Sequence, residues 1–273
     1  MSSVMISSRS HTPGASVASA AAERLGFELL DDSLYRLASE RFSVPEADLR
    51  RAFEERPSLW GMSDVRRRGL ATCMQATLTA RLLQDRVVYH GPFSRLLVRG
   101  VAHIVQVRIA SSPDSRAAAA EQAGVPHSRA AKRVRMRDED ADRIAEAVFG
   151  ARDGDEDYDL VFDLSCTPID AAADAIALAA SADKHRPTSY SRMCLEELEL
   201  SHRLAAQLSQ EFHVDLRVVV VQGSVNIRAL APDRKRKRIQ ARAESLAREL
   251  DGVSNLDVQV VPDRLRPLPA GLR

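Results

Sequence analysis

The stretch V-M-I-S-S-R-S-H-T-P-G-A-S-V-A, residues 4–18, decides how the rest of the chain is read. Residues 4–7 form a short apolar run of the kind that makes a buried strand, and 8–14 is a polar turn containing proline and glycine. From 15 to 25 the chain is Ala-rich with a helical pattern, and Gly26 follows where a glycine ends a helix. Strand, loop, helix is the arrangement in which backbone N–H groups and a helix N-terminus face an anion.

Outward from this stretch the alternation continues. Short apolar runs at 27–30, 86–90, 102–110 and 158–164 read as strands. Helical patterns fill 33–41, 46–55, 63–84, 113–123, 127–149 and 168–180, the last with proline in its first turn. Strands alternating with helices predict an α/β fold on a parallel sheet. The polar segment S-A-D-K-H-R-P-T-S-Y-S at 181–191 reads as a linker. After it come a helix at 195–210, strands at 214–221 and 224–230 joined by Gln222-Gly223 as a tight hairpin, a helix at 232–250 and a strand at 256–261. The domain boundaries expected from this are 1–183, a linker at 184–193, an α+β module at 194–264 and a Pro/Arg-rich tail at 265–273.

Composition narrows the function. The chain has 273 residues and a formal charge of +1, enough for two domains and far from the basic excess of a dedicated nucleic-acid binder. Charge divides at the linker: 1–189 carries 25 basic and 27 acidic residues, whereas 190–273 carries 14 and 11. Cys73, Cys166 and Cys194 are widely spaced, with no zinc or disulfide pattern, so free thiols in a reducing compartment are expected. With no signal-peptide pattern and no apolar run of membrane-spanning length, the reading is a cytoplasmic protein. Of 39 basic residues only Lys132, Lys184, Lys235 and Lys237 are lysines, leaving 35 arginines.

The series resembles the cytidylate kinase-like branch of the P-loop nucleoside monophosphate kinases. The carriers are I-S-S-R-S-H-T-P-G-A-S-V-A at 6–18, A-E-R-L-G-F-E-L-L-D-D at 22–32 and V-V-Y-H-G-P-F at 87–93, then H-I-V-Q-V-R-I-A-S at 103–111 and Y-D-L-V-F-D-L-S at 158–165 after an Arg-rich segment. The resemblance implies a P-loop NMP-kinase-like parallel sheet flanked by helices, a monophosphate-binding helical insert after the second strand, and an Arg-rich lid. It also implies phosphoryl transfer from ATP, with Mg, to CMP or a similar acceptor, a reaction that rests on positioned cations.

On that resemblance the loop residues Arg9, His11, Gly14, Ala15 and Ser16 are the phosphate-binding candidates, with Ser16 at the Mg-ligating hydroxyl position. Asp31, Asp32 and Arg36, in a stretch like the family's Asp-x-x-x-x-Tyr-Arg, are acceptor-binding candidates together with Arg95. Ordinary helix capping by Asp32 beside a surface arginine accounts for the same residues. Arg129, Arg133, Arg137 and Arg143 are the lid candidates, and Arg36, Arg137 and Arg143 would carry catalysis if the protein is active; a solvated helix face balanced by Asp138, Glu139, Asp140 and Asp142 is the plainer account. Asp163 and the acidic loop 153–157 are weak metal candidates, and a surface loop explains the latter.

The chain departs from the family where the chemistry belongs. With Gly14 as the second loop glycine, Arg9 occupies the place of the first and Ala15 that of the lysine, and no lysine precedes position 132. Arginine is a planar fork, not a compact point charge, so it is an imperfect substitute. Pro92 stands where the family has an arginine after Gly91.

Residues 195–262 are similar to a BON domain, a small αββαβ interaction module, through V-V-V-Q-G-S-V-N-I-R-A-L at 219–230 and D-G-V-S-N-L-D-V at 251–258. The resemblance implies binding of a protein or an anionic lipid, and the run Arg234–Lys235–Arg236–Lys237–Arg238 suits an anionic partner. The expectation is therefore a protein that binds a nucleotide or another phosphorylated small molecule through a degenerate loop, with weak or no kinase activity, coupled to an interaction module and open to homo-oligomerisation. An active CMP/dCMP-type kinase and a non-binding scaffold are the alternatives.

Overall fold

The computed structural model describes residues 2–10, 12–58, 60–154, 158–250 and 253–262. Strands β1 (Val4–Ser8), β2 (Glu28–Leu30), β3 (Val87–His90), β4 (Val105–Ala110) and β5 (Leu160–Asp163) pair in the order β2-β3-β1-β4-β5, all parallel. The strands are short and mostly apolar because helices cover both faces, as parallel sheets require. Alternation along β1 sends Val4 and Ile6 into one core and Met5 into the other. Helices α1 (Gly14–Leu25) and α8 (Ile169–Ser181) cover the first face with alanines that let them approach closely.

The second face is larger. It takes α2 (Ser33–Phe42), α3 (Glu46–Glu54), α4 (Asp64–Leu82) and the single turn α5 (Ser94–Leu97), which the sequence pattern does not announce. A helical hairpin, α6 (Pro113–Gln122) and α7 (His127–Phe149), follows β4. Ser63 starts α4 by accepting the Arg66 N–H, and Gly26 ends α1 at φ 63°, a left-handed conformation natural to glycine.

The C-terminal unit is α9 (Ser189–Phe212), β6 (Asp215–Val221), β7 (Ser224–Leu230), α10 (Asp233–Arg248) and β8 (Asn255–Val261). Its sheet runs β6-β7-β8, antiparallel then parallel. The β6–β7 turn has positive φ at both Gln222 and Gly223, the combination that matches strand twist in a two-residue hairpin.

Helix α9 differs from its sequence reading. It begins at Ser189, not near 195, because Thr188 and Ser191 form a capping box, so half of the expected linker is its first turns. Leu195 and Ala206 of α9 join the core of the five-stranded unit, while Leu204, Leu208 and Phe212 belong to the core of the three-stranded one. Gly69 of α4 permits that crossing, since a Cβ there would lie 3.2 Å from the Ser209 Cβ. Arg68 adds a two-pronged ion pair to Asp215 at 2.7 and 2.6 Å. Among the described residues, no helix is long and apolar enough to cross a membrane.

Candidate functional site

In an open α/β sheet the ligand crevice lies outside the carboxyl ends of the strands, where strand order reverses. Here that place is the end of β1, between β3 and β4. A cleft of about 470 Å³ opens there, walled by Ser8, Arg9, Ser10 and Thr12 of the loop, the end of β3, α3 and the 137–144 stretch of α7. Phe53, Phe93 and Ile144 supply its apolar surface, with Phe53 and Phe93 rings 6.3 Å apart.

The loop is tightly wound. The Thr12 N–H donates to the Arg9 carbonyl at 3.2 Å and the Gly14 N–H to the Thr12 carbonyl at 2.8 Å. A Cβ at Gly14 would lie 2.5 Å from Ser8 Oγ and 2.8 Å from His90 Nε2, so only glycine lets the start of α1 close onto these two side chains. Ser8 Oγ and His90 Nε2 are themselves 3.0 Å apart, and both line the cleft. Burial pushes the His90 imidazole below its ordinary range, although Asp32 and Asp31 pull it the other way. Ser10 and Thr12 also line the cleft; their hydroxyl oxygens are buried and have no hydrogen-bond partner among the described residues.

Arg9 does not point into open space. Its guanidinium pairs with Asp142 of α7 at 3.2 Å and Asp138 at 3.7 Å. Arg116 of α6 holds the same Asp138 through two bonds of 2.8 and 2.6 Å. The acids that balance α7 in the sequence reading are thus engaged largely by arginines of other elements. Asp140 faces Arg56 at 3.8 Å. Arg137 lines the cleft and has no ion-pair partner among the described residues.

Beneath the cleft lies a charge network that the sequence reading does not contain. Arg108 of β4, only 4% exposed, donates to Asp153 at 2.9 Å and to Ser7 at 3.0 Å. The Tyr158 hydroxyl donates to the same carboxylate at 2.6 Å. Burial, then the Asp153 charge, raises the Tyr158 phenol far above its usual value, which keeps it a donor. Asp153 was expected in a surface loop; it is instead buried by this pairing. The signal was the arginine within the apolar strand 103–110, since a buried charge requires a partner.

The remaining candidates are scattered. Asp32 lines the cleft and pairs with Arg50 at 3.2 Å. It makes no side-chain cap to α2; the Asp31 carboxylate accepts the Ser33 N–H at 3.1 Å. Arg36 is on the surface, paired with Glu40 at 2.8 Å. Arg95 stands over the Tyr158 ring, 3.9 Å from Asp153, and lies outside the cleft lining. Arg129, Arg133 and Arg143 are exposed on α7, away from the cleft lining, and Ala15 and Ser16 are exposed on the first turn of α1. His11 lies outside the described residues, as do 155–157 of the acidic loop. The described residues hold no cluster suited to a metal.

These residues do not fit a magnesium–ATP complex held in the P-loop manner. The lysine position is Ala15, Ser16 lies outside the cleft lining, and Arg9 is engaged by two carboxylates. Arg137 is the arginine of the cleft lining that has no ion-pair partner among the described residues.

The fold defines an α/β protein on a five-stranded parallel sheet, with a helical insert after β2 and a helical hairpin after β4 whose second helix lines the cleft. Within that class, the family model of the cytidylate kinase-like family matches residues 3–166, more than half of the chain, and the chain belongs to this family. The structure is also similar to the crystal structure of an uncharacterized protein from Eubacterium ventriosum ATCC 27560. The TM-score is 0.50 at 16% identity, over 66% of this chain and 97% of that one, a likeness that concerns the fold alone. Comparison with curated proteins gives no match.

Proposed function

We propose that this protein binds a nucleotide or a related phosphorylated small molecule in the cleft at the end of β1, and transfers phosphate weakly or not at all. The observation that carries this reading is the cleft at the end of β1, lined by Ser10, Thr12 and by Arg137, whose guanidinium has no ion-pair partner among the described residues. A phosphate is a ligand that this guanidinium holds, through charge-assisted hydrogen bonds. The phenylalanine-lined end beside Asp32 is suited to a base or ribose. Weak transfer follows from the missing lysine, because phosphoryl transfer rests on cations placed around the γ-phosphate.

The C-terminal αββαβ unit serves, in this reading, as a BON-like interaction module. The element order and the exposed basic start of α10 support it.

Thermal shift with CMP, dCMP, UMP and ATP, beside a coupled kinase assay with magnesium, tests the main proposal. A bound ligand at a hundred times its Kd adds about 2.7 kcal/mol to stability. A nucleotide-dependent shift with little turnover is expected. Efficient magnesium-dependent turnover would establish the active kinase instead, and no shift with any nucleotide the non-binding scaffold.

A further inference from the structure

The Ser8–His90 pair is not needed to bind a phosphate, yet it is placed where a nucleophile and its base belong. Ser8 ends β1 and His90 ends β3, two adjacent parallel strands whose register sets Ile6 beside His90. Strand ends are rigid platforms, which is what holds Ser8 Oγ 3.0 Å from His90 Nε2. Both residues line the cleft, and Gly14, the first residue of the 12-residue helix α1, packs against the two atoms. That helix end carries partial positive charge, the environment that stabilises a developing alkoxide and the oxygens of an attacked phosphate. Arg137 lies across the same space.

We propose that Ser8 is a nucleophile, with His90 as its general base, toward the phosphorus of a phosphomonoester seated in this cleft. The proposal rests on the phosphate-binding reading above and adds a covalent step to it. With the imidazole proton on Nδ1, Nε2 accepts the Ser8 hydroxyl proton. The Ser8 Oγ–P bond forms as the P–O bond to the ligand's alcohol breaks. The departing alkoxide takes the proton held by His90, so a free alcohol and phospho-Ser8 result. Water activated by the same imidazole then releases inorganic phosphate and regenerates Ser8. Water is the one co-reactant, and no oxidant or reductant is required. Burial favours the neutral form of His90, the form a base needs.

The experiment uses the full chain and two probes, a fluorophosphonate and p-nitrophenyl phosphate. The fluorophosphonate forms the Ser8–P bond with loss of fluoride and reads nucleophilicity without needing turnover. Labelling located at Ser8 by peptide mass spectrometry is expected, absent in Ser8→Ala and slower by about a hundredfold in His90→Gln. Slow release of p-nitrophenol with the same dependence is expected from the second probe. Circular dichroism melting of each variant separates loss of fold from loss of chemistry. Thermal shift with CMP on the same samples reports binding separately. Equal labelling of wild type and His90→Gln, or no labelling of wild type at Ser8, overturns the proposal even where CMP still binds. Labelling without any CMP shift leaves the nucleophile standing and removes the nucleotide reading.

Discussion

Arg108 shows how much of the cleft depends on a single buried charge. It sits in the middle of an apolar strand and is stable there because Asp153, Ser7 and Tyr158 surround it. Removing one partner of a buried pair leaves the other charge uncompensated. Arg108→Ala should therefore lower stability by about 3 kcal/mol. Adding Asp153→Asn should restore part of that loss, and urea denaturation of the two variants at pH 7 checks both statements. Gly14 is a second such residue. Gly14→Ala forces a methyl group into Ser8 and His90 and should cost about 1–3 kcal/mol by overpacking, read as a fall in Tm.

At the scale of elements, α3 presents Phe53 and Glu54 to the cleft, and α4 packs behind it. A buried arginine holds them together. Arg67 of α4, 1% exposed, donates to the carbonyls of Arg51, Ala52 and Glu55 at 3.1, 2.5 and 2.9 Å, ending α3. Arg67→Met keeps the stem and strands those carbonyls, which should cost about 2–3 kcal/mol in chemical denaturation. Most elements here were legible from the sequence, because apolar periodicity and turn residues are local signals: the alternating strands, the 127–149 helix and the Gln222-Gly223 hairpin needed nothing distant. The start of α9 was misread because a capping box of Thr and Ser looks like a polar linker. The Arg9–Asp142 and Arg108–Asp153 pairs join residues far apart in the chain, so no local pattern announces them. The strand, loop and helix of 4–25 were legible; that α7 supplies carboxylates to the loop's Arg9 was not.

At the scale of the molecule, α9 makes the two sheets neighbours, and its chemistry gives the whole protein a pH dependence. His202 of α9 is pushed down to about 4 by burial alone, and its Nδ1 is buried without a partner among the described residues. The unfolded chain takes up that proton near pH 6.5, whereas the folded protein resists it until about pH 4. The contribution of neutral His202 is therefore complete above pH 6.5 and is lost as the pH falls toward 4, on the order of 1–3 kcal/mol. His90 and His103, also lowered by burial, act in the same direction. Stability measured from pH 7 to 4 should fall, and His202→Gln should flatten part of the fall.

The function of the molecule turns on whether its cleft receives a phosphorylated ligand. In the structure Arg9 is held by Asp142 and Asp138, so an incoming phosphate competes with those carboxylates. Calorimetric titration of the full chain with CMP measures this directly. The wild type should bind, Asp142→Asn should bind several-fold tighter because one competitor for Arg9 is gone, and Arg137→Ala should bind about tenfold more weakly, the loss of one charge-assisted contact. An absence of binding by wild type and Asp142→Asn alike at millimolar CMP and ATP, or binding indifferent to both substitutions, would contradict it.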